Sequence, residues 1–327
     1  MKKLFLSLLA MVFAATMSFG QNTLVATLTH GDEISMFYGS YAFQNVMKAA
    51  IDGDIISLSG GGFQSTNITK AVTIRGTGID DANPTYIINS FTIEIPEGTS
   101  NRLTIEGVRI SNTITTKGTL NNAYFVKDYI YGFSTSGTVN NAVFANCKVY
   151  APEVHSTNKA TMQFINCYVD AFANDGTYAK TSEASFINCV IRPSYGCHTE
   201  YICSSTLVNS IIFHDSTTSL YSLPSSTSAT NCVATGNGNP FRDVVASKNN
   251  KYNVPVSIFR DSNKLNDLTD EAKATYLGTD GTPVGMYGGT LPYNTTPSYP
   301  QITKMNVANK TTADGKLSVE IEVSAAQ

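Results

Sequence analysis

Short apolar runs of aromatic and β-branched residues recur between polar, turn-forming stretches through the middle of this chain, and the recurrence is regular. The strings Phe144-Ala145-Asn146-Cys147-Lys148-Val149, Phe164-Ile165-Asn166-Cys167-Tyr168-Val169 and Phe186-Ile187-Asn188-Cys189-Val190-Ile191 share one template: aromatic, any, Asn, Cys, any, β-branched. It continues in degraded form as Leu207-Val208-Asn209-Ser210-Ile211-Ile212 and Asn231-Cys232-Val233. Upstream, Phe125 to Ile130 and Ile105 to Ile110 fit with Lys127 and Gly107 in the place of the Asn. The marker residues Asn146, Asn166, Asn188, Asn209 and Asn231 are 20 to 22 residues apart.

A period of that length without a helical pattern inside it excludes helical solenoids, and the Leu spacing of leucine-rich repeats is absent. What remains is a parallel β-helix, whose coils stack short strands into parallel sheets about 4.8 Å apart. Each marker Asn then occupies a bend that needs the left-handed backbone region, which Asn tolerates better than other side chains and Gly107 tolerates freely. Stacked coil on coil, the amides are expected to bond to one another as an asparagine ladder. By alternation, Ile130, Val149, Val169, Ile191 and Ile212 point inward.

With the strings Gly53 to Leu58 and Ala71-Val72-Thr73-Ile74-Arg75-Gly76-Thr77-Gly78, the chain over residues 53 to 250 resembles right-handed parallel β-helix proteins of the pectin-lyase-like superfamily. The resemblance implies a fold class: all-β, a right-handed parallel β-helix solenoid. It does not imply one activity, because the fold hosts lyases, hydrolases, esterases, adhesins and scaffolds.

The ends of a solenoid must be covered. Phe43, Val46, Met47, Ala50 and Ile51 recur at helical spacing after Ser40, predicting an N-terminal capping helix that Gly53 stops. Residues 251–290 read as an irregular C-terminal cap with a short helix starting near Thr269, and 291–300, with Pro292, Pro297 and Pro300, as a linker. Beyond it, residues 301–327 alternate around Asp314-Gly315 and predict a C-terminal β-hairpin tail with one apolar face, which needs a partner. At the other end Lys2 and Lys3, an apolar run from Leu4 to Phe13 and Ser18-Phe19-Gly20 predict a signal peptide over 1–20, with residues 21–52 as the N-terminal cap. No stretch approaches the length of a membrane-spanning helix, and an exported protein, periplasmic, outer-surface or extracellular, is expected. In that setting Asn67-Ile68-Thr69, Asn294-Thr295-Thr296 and Asn309-Lys310-Thr311 match the N-glycosylation pattern without implying modification.

Charge and cysteine content refine this picture. With 22 Lys and Arg against 25 Asp and Glu the formal net charge is −3, which excludes a basic nucleic-acid binder, and 14% charged against 42% hydrophobic residues excludes disorder. Of six cysteines, Cys147, Cys167, Cys189 and Cys232 share one template column and read as an interior stack; neighbouring coils are close enough to leave a disulfide open. Cys197 and Cys203 sit off the column and are the disulfide candidate in an oxidising compartment. A zinc site is disfavoured, since His198 is the one nearby imidazole, and no metal or cofactor is expected.

Candidate binding residues lie on the outward face beside the inward column, Tyr129, Tyr131, Tyr150, Tyr168, Asp170 and Arg192, with Lys148 as an outward neighbour and the face grading into Val190, Ile211 and Phe213. Tyrosines at one-coil spacing can stack on sugar rings, and Asp170 beside Arg192 can hold a polar or uronate group. The competing reading is a surface ion pair worth at most about 1 kcal/mol, with the apolar patch covered by a loop or the C-terminal segment. Catalytic relatives of the fold need converging carboxylates with a basic residue or an acidic calcium cluster. Here Glu106, Asp128, Glu153, Asp170, Asp175, Glu183, Glu200 and Asp215 fall at scattered template positions, Asp80-Asp81 lies in a turn-rich loop, and His155, His198 and His214 lack repeat partners. The expectation is therefore an exported, non-catalytic β-helix with a binding or structural role toward carbohydrate or glycoprotein. The alternatives are a polysaccharide lyase or hydrolase with a loop-built site, and an adhesin subunit docking a protein partner through its hairpin.

Overall fold

A computed structural model describes residues 24–150, 152–154, 160–174, 183–193, 202, 205–215, 217–261, 267–307, 310–312, 314–316 and 318–324. The predicted Cys197–Cys203 pair, His155 and His198 lie outside the described residues, as does the segment read as a signal peptide. The chain winds into a parallel β-solenoid of about 8 turns. One sheet gathers the strands that precede each marker residue, from Ile55–Leu58 through Phe164 and Phe186 to Ala246–Lys248; a second gathers those that follow it. Among the described residues no helix is long and apolar enough to cross a membrane.

The register is set by the bends. Asn146, Asn166, Asn188, Asn209 and Asn231 have φ of 50 to 56°, Lys127 has 56° and Gly107 has 71°, so the marker column sits in the left-handed region throughout. A side chain with a β-carbon costs about 1–2 kcal/mol there, least for Asn, which accounts for the Asn and Gly choices, while Lys127 bears that cost. Preceding the bends at Lys127, Asn146, Asn166 and Asn188 an aromatic residue points inward, and the rings of Phe125, Phe144, Phe164 and Phe186 stack at 4.8, 4.8 and 5.1 Å between centroids. Following each bend Ile130, Val149, Val169, Ile191 and Ile212 are all fully buried, as the alternation predicts. Burying each such side chain contributes about 1.5–3 kcal/mol, repeated once per coil.

The cysteine column has a more specific job than apolar stacking. Its members bond coil to coil: Cys147 Sγ accepts from the Asp128 N–H at 3.5 Å and Cys167 Sγ from the Cys147 N–H at 3.3 Å. Cys189 accepts from Cys167 and Cys232 from Ser210 in the same way, and the thiols of Cys147, Cys167 and Cys189 donate to carbonyls at 3.2 to 3.4 Å. Where the column departs from Cys, Asp128 Oδ1 takes the Val108 N–H, Ser210 Oγ the Cys189 N–H and Asn250 Oδ1 the Cys232 N–H. Every bend leaves an N–H facing the interior, and the next coil's side chain satisfies it. The four thiols are free; burial pushes Cys147 and Cys189 up and Cys232 up to about 12, so these three stand as neutral donors, while Cys167, against its burial, is lowered by the hydrogen bonds its sulfur accepts from the Cys147 and Cys189 thiols and the Cys147 N–H. Burial likewise raises the carboxyl of Asp128, which shares this column.

The N-terminal end is covered. At the N-terminal end an antiparallel hairpin, Val25–His30 with Glu33–Tyr38, extends the first sheet past its first parallel strand, an element that the helical pattern alone did not reveal. The helix Ala42–Ala49 buries Phe43, Val46 and Met47 on the open coil. Two details of the expected helix change. Tyr41 rather than Ser40 is the N-cap, with no side-chain bond, and Ile51 is 53% exposed because the chain has turned extended at Ala50. After the last coil the helix Asp270–Thr275 starts where Thr269 Oγ1 accepts the Ala272 N–H at 3.1 Å, and its Ala272 packs on the outward flank of the second sheet. The terminal strands Gln301–Val307 and Val319–Ser324 pair antiparallel, as the alternation around Asp314-Gly315 predicts.

Candidate functional site

The parallel register places side chains from successive coils in outward columns. One runs Tyr86, Arg109, Tyr129, Lys148, Tyr168, Val190, Ile211 and Val233. A second, two residues further along the strands, holds Tyr150, Asp170 and Arg192 in direct register. Tyr131 lies two residues beyond Tyr129 on the preceding coil, at a register shift between Ile130 and Gly132 in the pairing with Val108–Thr116.

These residues form one continuous face. The Tyr129 and Tyr150 rings lie 5.1 Å apart, and Tyr150 and Tyr168 meet edge to face at 5.7 Å. Arg109 lies over the rings of Tyr86 and Tyr129 at 5.7 and 5.9 Å. The Tyr168 hydroxyl donates to Asp170 Oδ2 at 3.1 Å, and Arg192 Nη1 stands 3.7 Å from the same oxygen. The Asp170 side chain is largely covered and that of Arg192 is 45% exposed, so the guanidinium keeps donors toward solvent. Burial pushes the Tyr150 phenol up to about 12, with the Tyr129 phenol and the Asp170 carboxylate adding to it, and burial raises Tyr168 in the same direction. Both therefore stay neutral hydroxyl donors over the physiological range. Tyr131, 56% exposed, is the ring most open to solvent. Of the residues singled out from the sequence, Tyr129, Tyr150, Tyr168, Asp170 and Arg192 are brought into contact, and Tyr131 shares the strand of Tyr129.

The apolar continuation of the column is covered. Val190, Ile211, Phe213 and Val233 join Val254, Ile258, Phe259, Leu268, Val284 and Met286 in a second core outside the solenoid. That core belongs to the C-terminal cap, and the apolar patch is its floor.

What the sequence did not reveal is the course of the chain after the cap. Residues 278–299 run back along the marker column against the direction in which the coils advance. Thr279 N–H donates to Asn209 Oδ1 at 2.9 Å, and Asn166 Nδ2 donates to the carbonyls of Met286 and Gly288 at 2.8 and 2.7 Å. Asn294 N–H donates to Asn146 Oδ1 at 3.0 Å. Lys127 Nζ then donates to Thr296 O at 2.6 Å and Ser298 Oγ at 3.0 Å, and Glu106 Oε1 accepts the Ser298 N–H at 2.6 Å. Arg75 closes the series 5.0 Å from the Tyr299 ring centroid. The expected ladder of amide to amide bonds is therefore corrected: the amides of Asn146, Asn166 and Asn209 bond to this strap, whose backbone groups need partners of their own. The stretch 291–300, expected as a linker, is docked over this length. Lys148 Nζ sits 5.9 Å from the Tyr293 ring centroid, so the strap borders the tyrosine face.

His214 is buried, with Nε2 2.6 Å from the Thr218 carbonyl, and Asp80 faces Arg109 at 3.6 Å and the Thr295 hydroxyl at 2.9 Å. Among the described residues no group of three or more His, Cys, Asp or Glu side chains is placed to hold a metal ion. Comparison with protein-family models, with curated proteins and with solved structures gives no match to this chain.

Proposed function

We propose that this is an exported, non-catalytic β-solenoid of the pectin-lyase-like kind that binds carbohydrate or glycoprotein through its tyrosine face. The observation that carries the reading is the contact of Tyr129, Tyr150 and Tyr168 at one-coil spacing beside the Asp170–Arg192 pair. Rings already packed on one another lose little conformational freedom when a sugar stacks on them, which favours a preorganised aromatic platform. Tyr131 supplies the open ring and Arg192 the unspent donors for a hydroxyl or carboxylate of the ligand. The test is retention of the mature chain on immobilised neutral and acidic polysaccharides, with reducing ends and unsaturated uronate followed in the same tubes. Retention without product, weakened about tenfold or more by Tyr131→Ala or Arg192→Ala, is the expected result. New chain ends would replace the binding reading with a lyase or hydrolase.

A second reading, an adhesin subunit docking through its tail, is favoured by one observation. Val319, Ile321 and Val323 on one face of the terminal hairpin are 49 to 58% exposed, and the hairpin forms a sheet of two strands. A chain ending at Pro300 that still folds but no longer attaches to cells would favour it.

A further inference from the structure

The first sheet ends in two edges of opposite character. Its last strand, Ala246–Lys248, carries Lys248 with Lys251 close behind it, and lysine on an edge discourages pairing with another chain. At the other edge the strand Glu33–Tyr38 has no lysine, and among the described residues it pairs with Val25–His30 alone. Ile34, Met36 and Tyr38 share one face of that strand and are 59 to 66% exposed, while Phe37, on the opposite face, packs against the core.

The backbone of the same three residues faces the open edge. Gly39 N–H donates to the Leu24 carbonyl at 2.8 Å, so the pairs that exchange bonds within the hairpin are Leu24–Gly39, Ala26–Phe37, Leu28–Ser35 and His30–Glu33. The residues between them, Ile34, Met36 and Tyr38, turn their N–H and C=O groups away from the hairpin. Each therefore offers an unpaired donor, an unpaired acceptor and an exposed apolar side chain at once.

Only a strand satisfies such an edge, and this strand is its own complement. Turned about a two-fold axis at Met36, it lies antiparallel to itself with Ile34 opposite Tyr38 of the second copy, Met36 opposite Met36 and Tyr38 opposite Ile34. In that register all three open-edge residues form hydrogen-bonded pairs, and their apolar side chains meet on one face as cross-strand pairs. A shift of two residues either way runs Tyr38 onto the turn at Asp32 or Ile34 past the strand end to Ser40. Glu33 falls opposite Gly39, so like charges do not meet across the axis.

We infer that Glu33–Tyr38 is a homodimerisation strand, pairing antiparallel with the same strand of a second copy about a two-fold axis at Met36, so that the first sheet runs on from one solenoid into the other. The contact is isologous and closes at two copies. Because the strand is short, the dimer belongs at the small end of specific interfaces, with a micromolar Kd.

Sedimentation of the mature chain from about 1 to about 200 µM tests this, and a monomer that converts to a dimer with rising concentration is expected. Met36→Lys sets two ammonium groups against each other at the axis and is expected to weaken association about tenfold or more, with thermal unfolding unchanged because the side chain is exposed in the single copy. Cysteines read the register. Met36→Cys places two thiols across a hydrogen-bonded pair with α-carbons about 5.5 Å apart, within disulfide reach, and is expected to give a linked dimer under diamide that the parent chain does not give. Tyr38→Cys leaves the two thiols about 14 Å apart along the strands and is expected not to link. A chain that stays monomeric throughout, a dimer that Met36→Lys leaves intact, growth beyond two copies, or linking by Tyr38→Cys as full as by Met36→Cys would overturn the inference.

Discussion

The outward column of the second sheet has two halves built on the same backbone. From Tyr86 to Tyr168 it carries rings and cations that keep part of their surface in water, and from Val190 to Val233 it carries aliphatic side chains sealed by the C-terminal cap. Coil geometry does not differ between them, since the marker φ angles of Asn166, Asn188 and Asn209 are 50, 51 and 51°. The difference lies in decoration alone. A repeat fold keeps its inward positions under packing constraint and leaves the outward ones free, so a change in outward chemistry along one column marks where something covers it. Here a second core covers one half, while the other half is left as a preorganised surface.

That contrast is broken most sharply by a charge. Ile211→Asp places a carboxylate in the covered half and is expected to cost about 3 kcal/mol or more in urea unfolding, through lost burial and an unpaired charge. Tyr131→Ala in the open half is expected to stay within about 0.5 kcal/mol. Equal costs would mean that the two halves are not covered differently.

The strap comes next. Asn166→Ala removes both donors to the Met286 and Gly288 carbonyls and puts a β-carbon without a polar group in the left-handed region, for an expected loss of about 2–3 kcal/mol. Asn166→Gly relieves the backbone but not the bonds and is expected to recover about 1 kcal/mol of it by the same unfolding measurement. Within the cysteine column, Cys167→Ala is expected to cost about 1–2 kcal/mol, and Cys167→Ser less, because Ser210 already does that work two coils along the series. Native thiols of the column should also stay unreactive toward a water-soluble disulfide reagent until the chain unfolds.

The smallest effect belongs to the opposite end, where His30 Nδ1 lies 2.7 Å from Asp54 Oδ1 on the N-terminal cap. The hydrogen bond and charge of Asp54 raise the His30 pKa above 6.5, so its contribution is full below pH 6.5 and is lost as pH rises through the folded value. Thermal unfolding from pH 5.5 to 8 should show a shallow decline that His30→Ala flattens.

Much of the solenoid was legible because one period repeats it. The bends at Asn146 to Asn231, the inward column from Ile130 to Ile212 and the hairpin around Gly315 all follow from patterns with a single physical reading. The N-terminal hairpin and the strap were not legible. Residues 25–38 alternate too weakly, with Ile34, Met36 and Tyr38 all exposed, and residues 278–299 have no period because their hydrogen-bond partners on the coils are 70 to 215 positions away in sequence. The tyrosine face was readable as a set but not as a geometry. Alternation named the outward residues, while the Tyr129–Tyr150 ring contact and the Tyr168 to Asp170 bond depend on registers that only the stacked coils supply. Asp128 was read as a scattered acid because its column reveals itself through hydrogen bonding, not residue type.

The absence of Trp from the chain makes its tyrosines the natural reporters of the open face. The most direct measurement is fluorine NMR of the chain labelled with 3-fluorotyrosine, titrated with the polysaccharide fragment best retained, with resonances assigned by single Tyr→Phe variants. The account predicts that Tyr129, Tyr131, Tyr150 and Tyr168 shift together and saturably while Tyr276 and Tyr293, at the cap and strap, hold still. Saturable shifts confined to Tyr276 and Tyr293, or no shift at Tyr131 and Tyr150 under saturating ligand, would contradict it.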